Sequence, residues 1–574
     1  MSAGAARKTW VTVTLVWLAA VVLLVATSLL PPDAKPLLAD TDDAMRMATA
    51  ADLLDGQPWQ DTVVHRDNAP FGAPLHWSRL IDAPLAGLIA LFRPTGHPDL
   101  AALVWPLLLL LPLLALSELW GRRIAGPGQT AAALVLPLLS MPLLAEFSPG
   151  RVDHHNVQIL LLAGLSLALT DSHRHRASAI AAGLLAAASI AIGLETLPFV
   201  VLSIALVALL WAFDPLTWKS AAVWFALPLF AGTAALAALA LPADQFGVAA
   251  CDAISIVYVL ATGLACLVLL ALAALSEALK TLPTRLLVLA TLGALSLGVL
   301  TLFYPQCLAG PYAQLDPRMA ALFSEIGEAR PLWLFFEDNP ASATGAILPP
   351  AVALLVAPWR LRRTRGDERL AWLVLLAFLA VATLMTIVQI RGARLAAFFA
   401  VPAGVWAISA ARERYLAKGG LQGAGLLVAT WLVFASVIHN VVVIGLDQWL
   451  PKPAVAGASE FTVARLTCFE PEVFATLAAL DPGIAVAPPE LGPHILHYTR
   501  HAVVSAGFHR NVEGTLDARA FFRGNEDEAR RIAAERNIRY VVGCPTVPLK
   551  EKWSWLKPVS PKDGKLEILE VQTP

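Results

Sequence analysis

This sequence is short of charge. Only 15% of its 574 residues are Asp, Glu, Lys or Arg, and the formal net charge is −1. No basic block runs longer than a few residues. A nucleic-acid partner requires a concentrated basic face to meet its phosphates, so nucleic acid is excluded. A soluble fold of this length would also need far more polar surface to cover itself. Cysteine is scarce: five residues, with no CxxC and no metal spacing, which removes thioredoxin-like and zinc-ribbon readings. No internal repeat is evident, which disfavours an inverted-repeat transporter plan.

What the sequence has is hydrocarbon. Hydrophobic residues make up 57% of it, and runs long enough to cross a bilayer recur, as at Trp10–Leu30, Leu100–Leu116 and Leu421–Ile444. The first run follows Arg7 and Lys8, is too long for a signal core and has no clear small-residue cleavage site after it, so it reads as a retained span. About thirteen spans are expected, near 10–30, 98–120, 128–146, 155–170, 177–194, 196–213, 219–241, 255–277, 284–304, 343–358, 369–389, 392–410 and 421–446. Ile81–Leu91 is too short to cross and is expected to lie at the interface.

Basic residues of the short loops then orient the chain. Arg7/Lys8, Arg122/Arg123, Arg174/Arg176, Lys219, Lys280/Arg285, Arg360 to Arg365 and Arg412/Arg414/Lys418 all fall on one side of a thirteen-span bundle, which makes that side cytoplasmic. The expectation is a multi-pass protein of a bacterial inner membrane. Its long polar segments, 31–97, 305–342 and the tail 447–574, then lie on the periplasmic face. The tail has strand-like runs at Ile484–Ala487 and Tyr540–Val542 and a helical pattern at Glu526–Arg536. It reads as a small periplasmic α/β domain following a membrane domain of residues 1–446. In an oxidising compartment Cys468 and Cys544 are expected to pair, with Cys251 and Cys307 as a further pair and Cys266 free.

Chemistry concentrates at a few polar knots on that face. Asp40-Thr41-Asp42-Asp43 places three carboxylates within four residues. The cluster suits either the capping of a helix or the binding of a cation. Gly150-Arg151-Val152-Asp153-His154-His155-Asn156 lies between two apolar stretches. There a carboxylate and an imidazole two residues on can meet one divalent ion, while Arg151 and His154 can face an anion. The loop 305–342 carries Glu325, Glu328, Glu337 and Asp338. Arg391 and Arg394 sit on the wrong side for the positive-inside pattern, which points to an anionic partner such as phosphate or to an interfacial anchor. The segment His65–Asp82 adds His65, His76, Trp77, Arg79 and Asp82, and His494–His509 is rich in histidine for no stated reason.

With these residues in place the chain resembles the catalytic subunit of oligosaccharyltransferases, nearest the single-subunit archaeal and bacterial forms, and more broadly the GT-C glycosyltransferases. The resemblance rests on the thirteen-span plan, the acidic motif after the first span, Asp153-His154-His155 and the C-terminal domain. It implies a divalent metal, Mn²⁺ or Mg²⁺, on Asp42, Asp153 and His155, with Asp43 as the neighbour able to replace Asp42. Glu325-Ile326-Gly327-Glu328 is the nearest match to the family's outer-loop glutamate motif and assigns that role to Glu328. Arg394-Leu395 matches the arginine that contacts the lipid phosphate, with Arg391, His76 and His154 beside it. The implied activity is inverting transfer of a sugar or oligosaccharide from a polyprenyl phosphate or pyrophosphate donor in the membrane lipid to a glycan, lipid or protein acceptor. For a hydroxyl acceptor, Asp43 or Asp40 is the candidate base. The family's Trp-Trp-Asp-Tyr-Gly is absent, and Glu490-Leu491-Gly492-Pro493-His494-Ile495 stands in its position. A flippase for the same lipid and a non-catalytic scaffold are the competing readings.

Overall fold

The computed structural model describes residues 3–31, 35–319, 327–447, 467–544, 553–560 and 565–572. Among them, nine helices are long and apolar enough to cross a membrane, or eleven when two bent pairs each count as one span. The bent pairs are Thr130–Leu138 with Met141–Phe147, turned by 72°, and Gly420–Phe434 with Ser436–Val443, turned by 85°. The first carries Pro137 before its break and Pro142 after it, and a proline removes the ladder hydrogen bond that would keep such a helix straight. Two further apolar helices, His155–Leu169 and Arg176–Ile192, have 15 and 17 residues. Helices therefore stand at all thirteen expected places, but length and composition support nine to eleven as spans.

Helix Ala393–Lys418 occupies the centre of the bundle, buried through most of its length. Helix Leu282–Phe303 buries none of its residues. An apolar helix with so little protein cover is stable only where the solvent is itself hydrocarbon.

At one end of the bundle the loop after the first helix folds into Thr41–Leu54, Arg79–Phe92 and a short hairpin of β1 (Val63–Val64) with β2 (Ala73–Pro74). Asp40 starts the first of these helices, its carboxylate accepting the Asp42 N–H at 2.9 Å. Arg79–Phe92, at 14 residues, is too short to cross.

The C-terminal unit is a five-stranded mixed sheet in the order β4-β3-β5-β7-β6, with β3 at Ile484–Val486, β4 at Ala502–Val503, β5 at Ile538–Gly543, β6 at Leu556–Pro558 and β7 at Glu567–Val571. β3 pairs in parallel with β4 and β5. Parallel neighbours need crossovers, supplied here by helix Gly492–Tyr498 and by Val512–Arg523 with Glu526–Glu535. A disulfide joins Cys468 to Cys544 beside β5, with Cα atoms 6.1 Å apart, and a second joins Cys251 to Cys307; Cys266 is free and buried.

Candidate active site

The two acidic knots of the sequence form one unit. Asp43 is buried, and its Oδ1 accepts the backbone N–H groups of Val152 and Asp153 at 2.8 and 3.0 Å. Its Oδ2 meets Arg151 at 2.7 Å. Gly150 makes the approach possible: its φ is +92°, and a Cβ there would stand 1.8 Å from the Leu37 carbonyl oxygen. Asp43, read from the sequence as a base or substitute ligand, thus has both oxygens engaged in holding the loop. Asp40 caps the helix and pairs with Arg151 at 2.9 Å. The three carboxylates divide into a cap, a clamp and Asp42.

Asp42 faces a cavity of about 590 Å³ that it shares with Asp40, Asp153, His154, His155, Glu328, Arg391 and His76. Burial first, and then the carboxylates of Asp40, Asp153 and Glu328, hold the Asp42 carboxyl well above the usual range. Asp153 Oδ1 receives His154 Nδ1 at 2.6 Å and Arg46 at 3.3 Å. Its Oδ2 is buried without a hydrogen-bond partner, 3.1 Å from His155 Nε2. An orphaned oxygen next to an imidazole nitrogen, with Asp42 and Glu328 crowding the same space, is a donor set lacking its acceptor. These residues fit a divalent cation.

His154 does something else. Burial would lower its pKa, but Asp153 and Glu195 outweigh that and push it up to about 9. Its Nε2 lies 3.6 Å from Glu195, and Gly193 keeps this corner open, since a Cβ there would fall 2.5 Å from the Glu195 carboxylate. Beneath them Arg46, fully buried, joins Asp82 at 2.9 Å to Asp153 and lies 4.0 Å over the ring of Trp77.

The second arginine pair separates into two roles. Arg394, at the start of the central helix, is buried and bonded to Glu146 at 3.0 Å and to Glu328 at 3.4 Å. Arg391, one turn earlier, lines the cavity and bonds Tyr312 at 3.2 Å. Asp43, Arg151, Glu146, Arg394 and Glu328 therefore form one continuous chain of ion pairs. Of the outer-loop motif, Glu325 lies outside the described residues, while Glu328 sits in the turn Gly327–Ala329. The opposite wall comes from the C-terminal unit, with Pro489, Glu490, Gly507, Phe508, His509 and Arg519.

Sequence reasoning passed over Arg46, Glu146, Glu195 and Tyr312. A signal existed for the two glutamates, each a lone carboxylate in an apolar run. Arg46 gave none, because its partners are 36 and 107 residues away. Two residues of the histidine-rich segment make docking contacts, His494 with the Leu38 carbonyl and His497 with Asp99, while His501 bonds the Leu477 carbonyl within the C-terminal unit.

No protein-family model and no curated protein matches this sequence. Solved structures do. The archaeal oligosaccharyltransferase AglB from Archaeoglobus fulgidus, in complex with an inhibitory peptide and a dolichol-phosphate, superposes with a TM-score of 0.68 at 16% identity, over 94% of this chain and 70% of that one. The A. fulgidus oligosaccharyltransferase tethered to an acceptor peptide with an NVT sequon gives 0.65 at 16% identity, over 92% and 68%. The form in complex with Zn and sulfate gives 0.55 at 14%, over 92% and 68%. This chain therefore shares its fold with the archaeal oligosaccharyltransferase.

Proposed function

We propose that this protein is a metal-dependent, inverting glycosyltransferase of the bacterial inner membrane. It moves a sugar or oligosaccharide from a polyprenyl phosphate or pyrophosphate donor to an acceptor on the periplasmic face. Residues 1–446 form the catalytic membrane domain and 447–574 the periplasmic domain that closes the cavity. The observation that carries the reading is the unpartnered Asp153 Oδ2 beside His155 Nε2, in a cavity that also holds Asp42 and Arg391. The dolichol-phosphate bound in the similar archaeal structure supports a lipid-linked donor.

Asp42, Asp153, His155 and Glu328 would hold Mn²⁺ or Mg²⁺, which when bound neutralises charge building on the departing phosphate. Arg391, at the cavity wall, offers its guanidinium to the same phosphate, and His76 lies on that wall too. Arg394 and His154, placed with the phosphate by resemblance, act here by positioning. Arg394 fixes Glu328, and His154 orients Asp153. Asp43 is buried away from the cavity, so Asp40, which also caps the helix and pairs with Arg151, is the carboxylate of its motif placed to take a proton from a hydroxyl acceptor. It lines the cavity and its side chain is 46% exposed.

The test is a radiolabelled polyprenyl-phosphate sugar, incubated with purified protein and metal. Metal-dependent release of polyprenyl phosphate, abolished in Asp153→Asn, is expected. Vectorial movement without release would make the protein a flippase, and neither outcome would leave a scaffold.

A further inference from the structure

A second set of ligand-type side chains stands beside the Asp153 centre, with His76 and His509 on the walls of the same cavity. His76 comes from the first loop, Asp252 from the turn before helix Ile256–Ala274, and His509 from the C-terminal unit. One ring nitrogen of each histidine and one Asp252 oxygen lie within 4.8 Å of one another. His509 Nε2 is 2.7 Å from Asp252 Oδ2, and the imidazoles of His76 and His509 lie 4.6 Å apart. His76 Nδ1 is buried with no hydrogen-bond partner. Around them the scaffold is fixed. Arg510 grips the Asp252 carboxylate with two bonds, at 2.8 and 2.5 Å, and the neighbouring Cys251 is disulfide-bonded to Cys307.

We infer that His76, Asp252 and His509 form a second metal site, selective for Zn²⁺, that joins the C-terminal unit to two loops of the membrane bundle. Two imidazoles and one carboxylate are a nitrogen-rich, borderline set that suits zinc. Asp42, Asp153, Glu328 and His155 are instead three carboxylates and one imidazole, a harder set that suits Mg²⁺ or Mn²⁺. Arg510 supports the carboxylate from behind, as outer partners of metal ligands do. The zinc would cross-link positions 76, 252 and 509, and binding to the folded state alone stabilises it by mass action.

Full-length protein in detergent, stripped with chelator and reloaded with Zn²⁺ under excess Mg²⁺, is assayed for bound zinc and for thermal stability. Wild type should retain one zinc per chain that Asp153→Asn also retains. His509→Gln and Asp252→Asn should each lose it. His509→Gln keeps a donor for Asp252, so an ordinary docking hydrogen bond survives in it, and only the loss of a ligand explains a missing zinc-induced rise in Tm. X-ray absorption should report two imidazoles with N/O ligands at about 2.0–2.2 Å. No retained zinc in wild type, zinc lost in Asp153→Asn, or zinc kept in both His509→Gln and Asp252→Asn would overturn the site. None of these readouts depends on whether the protein transfers sugar.

Discussion

The carboxylate of Asp43 accepts the backbone N–H of Asp153 at 3.0 Å, so the residue that orients the second acidic motif belongs to the first. Two segments more than a hundred residues apart are held in one geometry by an aspartate that does not touch the cavity.

Asp42→Asn and Asp43→Asn should therefore behave differently. Asp43→Asn replaces one oxygen of a clamp with a donor and should cost about 1–3 kcal/mol, read as a lower Tm. Asp42→Asn removes a carboxylate whose ionised form is disfavoured by burial and by its neighbours, so its Tm should hold or rise. Its donor turnover should still fall by at least about 100-fold. Equal melting of the two variants would contradict this division of labour.

Arg46 is the deepest cation of the site, shared between Asp82 and Asp153. Arg46→Ala leaves both carboxylates buried without it and should destabilise by about 3–5 kcal/mol. Arg46→Lys keeps the charge but not the planar fork, and should fall between that variant and wild type. Chemical or thermal denaturation of the three proteins orders them.

Asp67 gives a pH dependence away from the metal ligands. Burial pushes its carboxyl up to about 7 despite N–H bonds from Asn68 and Asn511. A raised folded pKa means that the folded state binds the proton more tightly. That contribution is complete below about pH 4 and is lost as pH rises toward 7. Asp67→Asn should flatten this decline, matching wild type in acid and melting higher at pH 8. An unchanged slope between pH 4 and 8 would refute the assignment.

Much of this was legible in advance. Apolar runs placed the helices, and the strands at Ile484–Val486 and Ile538–Gly543 follow the β-branched runs noted in the tail. The meeting of Asp153 and His155, 3.1 Å apart, was legible because they are two residues apart in the chain. The division of Asp40, Asp42 and Asp43 was not, because it depends on where Val152 and Arg151 arrive from across the bundle. Nor was the span count. Helices of 15 and 17 residues, and pairs bent by 72° and 85°, look continuous in hydropathy.

Topology is tested at exposed positions. Gly150 is unsuitable for a cysteine, given its φ and the Leu37 carbonyl, whereas Phe71 and Lys418 are exposed. Phe71→Cys should label with a membrane-impermeant reagent from the periplasmic side and Lys418→Cys only after permeabilisation. Labelling of both from one side would break the orientation.

The cavity has two owners. Asp42, Asp153 and Arg391 belong to the bundle and its loops, beside the chained ion pairs, while residues 489–519 supply the facing wall from the C-terminal unit, which shares a core with the first loop. Glu490, Phe508 and Arg519 shape that wall from outside the chain of ion pairs.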